Sequence, residues 1–150
     1  MVAKPELNLE TLQDVLNELA ILARDEGKVI DIAIYGGAAL MLVSNFRIAT
    51  RDVDAVADDE GQRVIERLAS VIAARRRWPP DWLNDDVFPF LSHGVGGLEQ
   101  HHTLFRSYPC EQEPGLRVYV PSPEYMLAMK LMAMRIDATS AAKTARTSSI

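Results

Sequence analysis

Leu9, Leu12, Val15, Leu16, Leu19 and Leu22 recur at spacings of three and four, which predicts an amphipathic helix over residues 9–24. Asn8 stands where an N-cap belongs, and Gly27 where the helix should stop. The next segment, KVIDIAIY from Lys28 to Tyr35, is rich in β-branched residues and broken only by Asp31, so it reads as a strand. GAALMLVSN then reads as a short buried helix. RDVDAVAD, Arg51 to Asp58, alternates with period two. Asp52 and Asp54 fall on one face of that strand, and Val53, Ala55 and Ala57 on the other. DDEGQRVIERLASVIAARRR predicts an amphipathic helix with Val64, Leu68, Val71 and Ile72 inward and Asp58 or Asp59 as its cap.

The pattern loosens between Trp78 and Gly97, where prolines, glycines and Asn-Asp pairs exclude a long regular element. HHTLFRSYP and GLRVYVPSP are strand candidates. The second is the firmer one, because Leu116, Val118 and Val120 alternate with Arg117 and Tyr119. SPEYMLAMKLMAMR is a helix with Ser122 as N-cap, Pro123 at its first position and Glu124 in its first turn. The order is helix, strand, helix, strand, helix, loop, strand, strand, helix. That is α/β in the broad sense, an α+β arrangement with a short mixed sheet flanked by helices. No repeat and no linker divides it, so residues 1–143 form one domain.

Composition narrows the class without naming a function. The 150 residues are 48% hydrophobic and 25% charged, ordinary values for a globular chain with a core. A net charge of −5 argues against a wholly basic nucleic-acid coat. The only dense basic run is Arg75, Arg76 and Arg77, which complements a helix C-terminus and could also touch RNA phosphates. The single cysteine, Cys110, cannot form an internal disulfide, so a reducing compartment fits. No apolar run reaches the roughly 20 residues of a membrane span, and the N-terminus lacks the apolar core of a signal peptide. The expectation is a cytoplasmic protein without a membrane partner.

Candidate chemistry centres on residues 34–55, IYGGAALMLVSNFRIATRDVDA. Carboxylates at i and i+2 of a strand share a face, roughly 6–7 Å apart at Cα. Two hard oxygen donors so placed suit Mg²⁺, and a nucleotide's phosphates would complete the metal's shell, as in two-metal sites. Gly36 and Gly37 permit close approach of backbone to a phosphate, and the first N–H groups of the following helix form an anion site. Each signal alone is weak. Gly-Gly is a common strand exit, and Asp-x-Asp on a strand face is often merely solvated.

Jointly the pattern resembles the nucleotidyltransferase superfamily of the polymerase-β type. Its signature is Gly-Ser or Gly-Gly after a strand, then Asp-x-Asp on the next. The closer resemblance is to the small bacterial stand-alone branch related to abortive-infection toxins. It is carried by YGGAAL (Tyr35 to Leu40), Arg47 to Asp54, WLND (Trp82 to Asp85) and PSPEYMLAMKLMAMR (Pro121 to Arg135), and covers about residues 28–137. The resemblance implies a minimal nucleotidyltransferase fold and Mg²⁺-dependent transfer of a nucleoside monophosphate from an NTP to an RNA (tRNA) or protein hydroxyl, with an antitoxin as partner. It implies that Gly36, Gly37 and Lys130 bind the nucleotide, and that Asp52 and Asp54 hold the catalytic metal.

Two positions depart from the family pattern. Many members have Ser where Gly37 stands. The third carboxylate, usual on a later strand, is missing from RVYVPS, and no spacing rule selects Asp85 or Asp86 of the loop in its place. An alternative reading follows: a catalytically inactive nucleotide-binding or protein-interaction module of the same fold. After Lys143 the chain reads TARTSSI, without core residues. This is either a disordered tail or the product of a one-base frameshift in a Lys-Asp-Arg-Ala-Asp-Ile-Ile coding sequence. Loss of following helices would leave Met126, Met129, Met132 and Met134 open to form a homodimer. Trp78 and Trp82 could stack a base, although packing their loop onto the sheet is the simpler expectation. His93, His101 and His102 lack a third ligand at metal spacing and read as ordinary loop or strand residues.

Overall fold

Strands β1 (Ile30–Tyr35), β2 (Val53–Val56), β3 (Leu83–Asn84), β4 (His102–Tyr108) and β5 (Leu116–Pro121) form one sheet in the order β3-β2-β1-β5-β4. The computed structural model describes residues 5–44, 49–87, 101–127, 131 and 134. β1 runs antiparallel to β2 and parallel to β5; β2 and β3 are parallel, and β4 and β5 antiparallel. The sheet is therefore mixed and flanked by helices, an α+β fold as the periodicity predicts. Helices α1 (Leu9–Asp25) and α3 (Asp59–Arg76) pack on one face. Helix α2 (Gly36–Val43) follows β1 directly.

The helix termini follow the sequence signals. The Asn8 side-chain oxygen accepts the Thr11 N–H at 2.9 Å. The Asp58 carboxylate accepts the Gly61 N–H at 2.6 Å, so Asp58 rather than Asp59 caps α3. Gly27 takes φ +71° just past α1, a left-handed turn that glycine adopts without steric penalty. Asp31, the one break in the apolar run of β1, meets Arg117 across the β1–β5 register, with oxygen–nitrogen distances of 2.6 and 3.3 Å. Beyond β5 a further helix begins at residue 123. The Ser122 hydroxyl accepts the Tyr125 N–H at 3.2 Å, as an N-cap should.

The core lies between the sheet and the two long helices. Ile32, Ile34, Val53, Ala55, Leu116 and Val118 meet Leu12, Leu16, Leu19, Ile65, Leu68 and Ile72 there. Two expected inward positions differ. Val71 is 37% exposed and Leu9 40%, while Ile65, Ala69 and Ala73 are buried. The inward stripe of α3 runs through Ile65, Leu68, Ala69, Ile72 and Ala73, and Trp82 packs beside it. That indole is 1% exposed, and its Nε1–H donates to the Ala69 carbonyl at 2.9 Å. Trp82 is thus a packing residue rather than a surface for a base. Trp78 meets it edge-to-face at 5.3 Å, under the guanidinium of Arg76, which also pairs with Glu18. The loop after α3 forms only a 3-10 turn at Pro80–Trp82 and the two-residue β3.

Several expectations fall on residues outside those described: Arg47, His93, Lys130, Met129, Met132 and the tail from 144 to 150. Met126 is partly buried and Met134 exposed.

Helix α1 and the β4–β5 turn meet closely at Gly115, where a Cβ would lie 1.9 Å from the Ala20 carbonyl oxygen. Two backbones meet there, so neither side chain can move aside. Gly115→Ala is expected to lower unfolding free energy by about 3 kcal/mol, read from the urea midpoint. An unchanged midpoint would show that α1 does not press on the β4–β5 turn.

Candidate functional site

The antiparallel register between β1 and β2 places Tyr35 opposite Asp54, Ile34 opposite Ala55 and Ala33 opposite Val56. Paired residues share a face. Ile34 and Ala55 point to the core, so Tyr35 and Asp54 point to the other face. Asp52, two residues earlier, belongs to the same side. The chain leaves Tyr35 through Gly36, whose φ of +65° is left-handed, and enters α2 at once. A Cβ on Gly36 would lie 3.1 Å from Oδ2 of Asp54. The carboxylate therefore sits directly over the bare Cα of the turn. Any other residue there would meet both an unfavourable backbone and the carboxylate.

Gly37 faces Thr50, whose Oγ1 would stand 3.4 Å from a Cβ on that glycine. Thr50 is fixed twice. Its backbone bridges Leu7 through hydrogen bonds of 2.7 and 3.0 Å, and Leu7 is fully buried. Its hydroxyl donates to the Asp52 carbonyl at 3.1 Å. The N-terminal segment thus anchors the approach to β2, whose Asp54 lies over the glycine turn. Sequence reasoning gave Thr50 no role, because its partner lies 43 residues away and nothing in the local pattern announces the bridge.

Of the two loop aspartates, Asp86 is the one whose charge bears on Asp54. β3 sets Asn84 opposite Asp54, and the Asn84 side-chain oxygen accepts the Asp86 N–H at 3.1 Å. Burial first, then repulsion from Asp52 and Asp86, pushes the Asp54 carboxyl up to about 6. Among the described residues no three His, Cys, Asp or Glu are gathered closely enough to hold a metal ion. Asp52 and Asp54 stay as a two-carboxylate donor set of hard oxygens, crowded with negative charge that a divalent cation would relieve. The first N–H groups of α2 have no side-chain cap from Tyr35 and stand at the glycine turn, where an anion would be favoured.

Beside the site this face carries an apolar and aromatic patch, and farther along it the Asp31–Arg117 ion pair. Ala33, Tyr35 and Val56 are buried, with Val87, Tyr119 and Tyr125 packed against them. The Tyr35 hydroxyl and Nε2 of His102 share a hydrogen bond of 2.6 Å, so His102 serves the fold here. His101 stacks on Tyr125 instead of ligating. Cys110 and Arg51 are exposed.

No family model matches the chain, and searches of curated proteins and of solved structures returned no match. Among the described residues, no helix is long and apolar enough to cross a membrane.

The crowding of charge has a measurable sign. The folded state holds the Asp54 proton more tightly than the unfolded chain does. Stability therefore falls as pH rises from about 4 to about 6 and stays lowered above that. Asp54→Asn removes this cost. It is expected to raise unfolding free energy by about 1 kcal/mol at pH 7–8, a figure reduced for the half-exposed position of the group. The gain should vanish near pH 4. Urea melts across that range check it, and a variant less stable than wild type at pH 7 would mean that the carboxylate is favourably paired.

Proposed function

We propose that this chain is a Mg²⁺-dependent nucleotidyltransferase that moves a nucleoside monophosphate from an NTP to an acceptor hydroxyl. The observation that carries the reading is the Gly36 turn lying against Asp54, 3.1 Å from Oδ2 to the missing Cβ. A phosphate held by backbone and a metal held by carboxylate would then be adjacent, as the reaction requires. Gly36, Gly37 and the opening N–H groups of α2 receive the phosphate oxygens. Asp52 and Asp54 would hold Mg²⁺, which supplies Lewis-acid stabilisation of charge on the transferring phosphoryl group. The acceptor oxygen attacks the α-phosphorus and a new P–O bond forms. The bond to the bridging oxygen breaks, pyrophosphate leaves, and the hydroxyl proton departs through a carboxylate of the site.

The acceptor class rests on the resemblance alone: a hydroxyl of RNA, such as tRNA, or of a protein, with an antitoxin as regulator. So does the role of Lys130, which lies outside the described residues. A homodimer through the last helix fits the exposure of Leu127, Leu131 and Met134. A second reading is a nucleotide-binding module without turnover. The third carboxylate missing from RVYVPS motivates it.

Thermal unfolding with each of the four NTPs, with and without Mg²⁺, tests the site. At about 100 times Kd, a bound nucleotide adds roughly 2.7 kcal/mol of stability. The shift should need Mg²⁺ and be lost in Asp52→Ala/Asp54→Ala. Label passing from an α-³²P NTP to RNA or protein then separates the enzyme from the silent binder. An NTP shift identical in the double variant would remove the aspartates from the site.

A further inference from the structure

The backbone register runs a line of residues across the sheet at the end that carries the glycine turn. Asn84 of β3 stands opposite Asp54 of β2, and Asp54 opposite Tyr35 of β1. Ala33 stands opposite Tyr119, so two residues on Tyr35 reaches the level of Pro121 in β5. Pro121 in turn pairs with His102 of β4. The Tyr35–His102 hydrogen bond bridges this line above β5. At its far end His101 and Tyr125 are stacked, 5.2 Å between centroids and 11° from parallel. His102 meets Tyr125 at 5.4 Å and 53°. The helix that opens at 123 and the start of β4 thus bring three rings together.

Within this corner His101 is the exposed member. Its backbone is left-handed, φ +66°, and its carbonyl accepts the Ser122 N–H at 2.7 Å. A non-glycine residue in this region carries a modest backbone cost that the neighbouring structure must hold in place. What the conformation achieves here is to present an imidazole flat against Tyr125 at the surface. Tyr35, the last residue of β1, connects that ring corner to the phosphate turn, which begins at Gly36. From Asp54 to the β4 edge the distance is three strand spacings, roughly 14 Å at about 4.8 Å each. A nucleoside triphosphate extended from its terminal phosphates to its base spans a length of that order.

We propose that the His101–Tyr125 stack is the platform for the heteroaromatic base of the NTP, whose phosphates lie at Gly36, Gly37, Asp52 and Asp54. The inference rests on the nucleotidyltransferase reading for the phosphate end. Recognition by stacking is tolerant of base identity, since every base presents a π-face. The platform therefore predicts similar affinity for the four NTPs, with purines somewhat favoured by area.

The test compares a ligand with a base and one without. Binding of Mg²⁺–ATP and of Mg²⁺–tripolyphosphate is measured by calorimetry on the whole chain, on His101→Gly and on His101→Trp. His101→Gly removes the ring while suiting the left-handed backbone, and His101→Trp enlarges it. Stacking should make ATP bind roughly five- to a hundredfold more weakly to His101→Gly, with tripolyphosphate unchanged. His101→Trp should bind ATP at least as tightly as wild type. Equal ATP affinity in wild type and His101→Gly overturns the platform while leaving the phosphate site standing. So does a parallel loss of both ligands, which would mark a structural role. Unchanged ATP binding with weakened binding of a short RNA assigns the rings to the acceptor and also overturns the proposal. Failure of tripolyphosphate to bind wild type removes the phosphate site itself, and the platform with it.

Discussion

The pairing of β1 with β2 is the constraint on which the candidate site depends. With Tyr35 opposite Asp54, the left-handed Gly36 falls directly beneath the Asp54 carboxylate. A slip of one residue would send Asp54 and Asp52 into the core and bring Val53 and Ala55 out. The register is held firmly because that core is apolar on every side. Ile32, Ile34, Val53 and Ala55 are all fully buried, and burying an unpaired carboxylate in their place would cost several kcal/mol. The hydrophobic face thus fixes the geometry of the polar one. Leu7 adds a second lock, since its bridge to Thr50 sets where the chain enters β2.

This arrangement places negative charge where folding alone would not. Asp54 is partly withdrawn from water and faces Asp52 and Asp86, and its proton is held well above the usual carboxylate range. A protein shaped only for stability would remove one of these groups. Elsewhere the same chain handles its charges well. Asp31 meets Arg117, Glu26 meets Arg67 in two hydrogen bonds, and Asp58 caps a helix. Among the described residues Asp54 is the carboxyl held above its ordinary range, and it lies beside a left-handed turn that favours glycine; perturbed groups of this kind gather at functional sites.

Much of the fold was legible in local pattern. The α1 period, its Asn8 cap, the β1 apolar run and the alternation in β5 all correspond to elements at nearly the expected bounds. The faces of β2 were legible too, because period two leaves no choice. What stayed hidden depends on distant partners. The stripe on α3 leaves Val71 out and takes in Ala69, where Trp82, thirteen residues on, packs and donates to the backbone. β3 is two residues long and has no pattern of its own; it exists because β2 offers an open edge. Asp86 could not be chosen over Asp85 from spacing, since the choice follows from how β3 ends. Thr50 was visible only as part of a motif, without its link to Leu7.

Tyr35 shows how the two halves of this face are coupled. It belongs to β1 by register, it precedes the glycine turn in sequence, and its hydroxyl is spent on His102 across the sheet. Burial raises the energy of its ionised form, so the phenol stays a neutral hydrogen-bonding group at any physiological pH. It therefore acts as a strut and not as a charge. Removing the hydroxyl as Tyr35→Phe would leave the strand pairing intact while cutting the tie between Gly36 and the ring corner. The strand ahead of the glycine turn is held by β-sheet hydrogen bonds and by this contact, which ties the turn to the corner. The spacing between them follows from the strand order β2-β1-β5-β4 that separates Asp54 from His102.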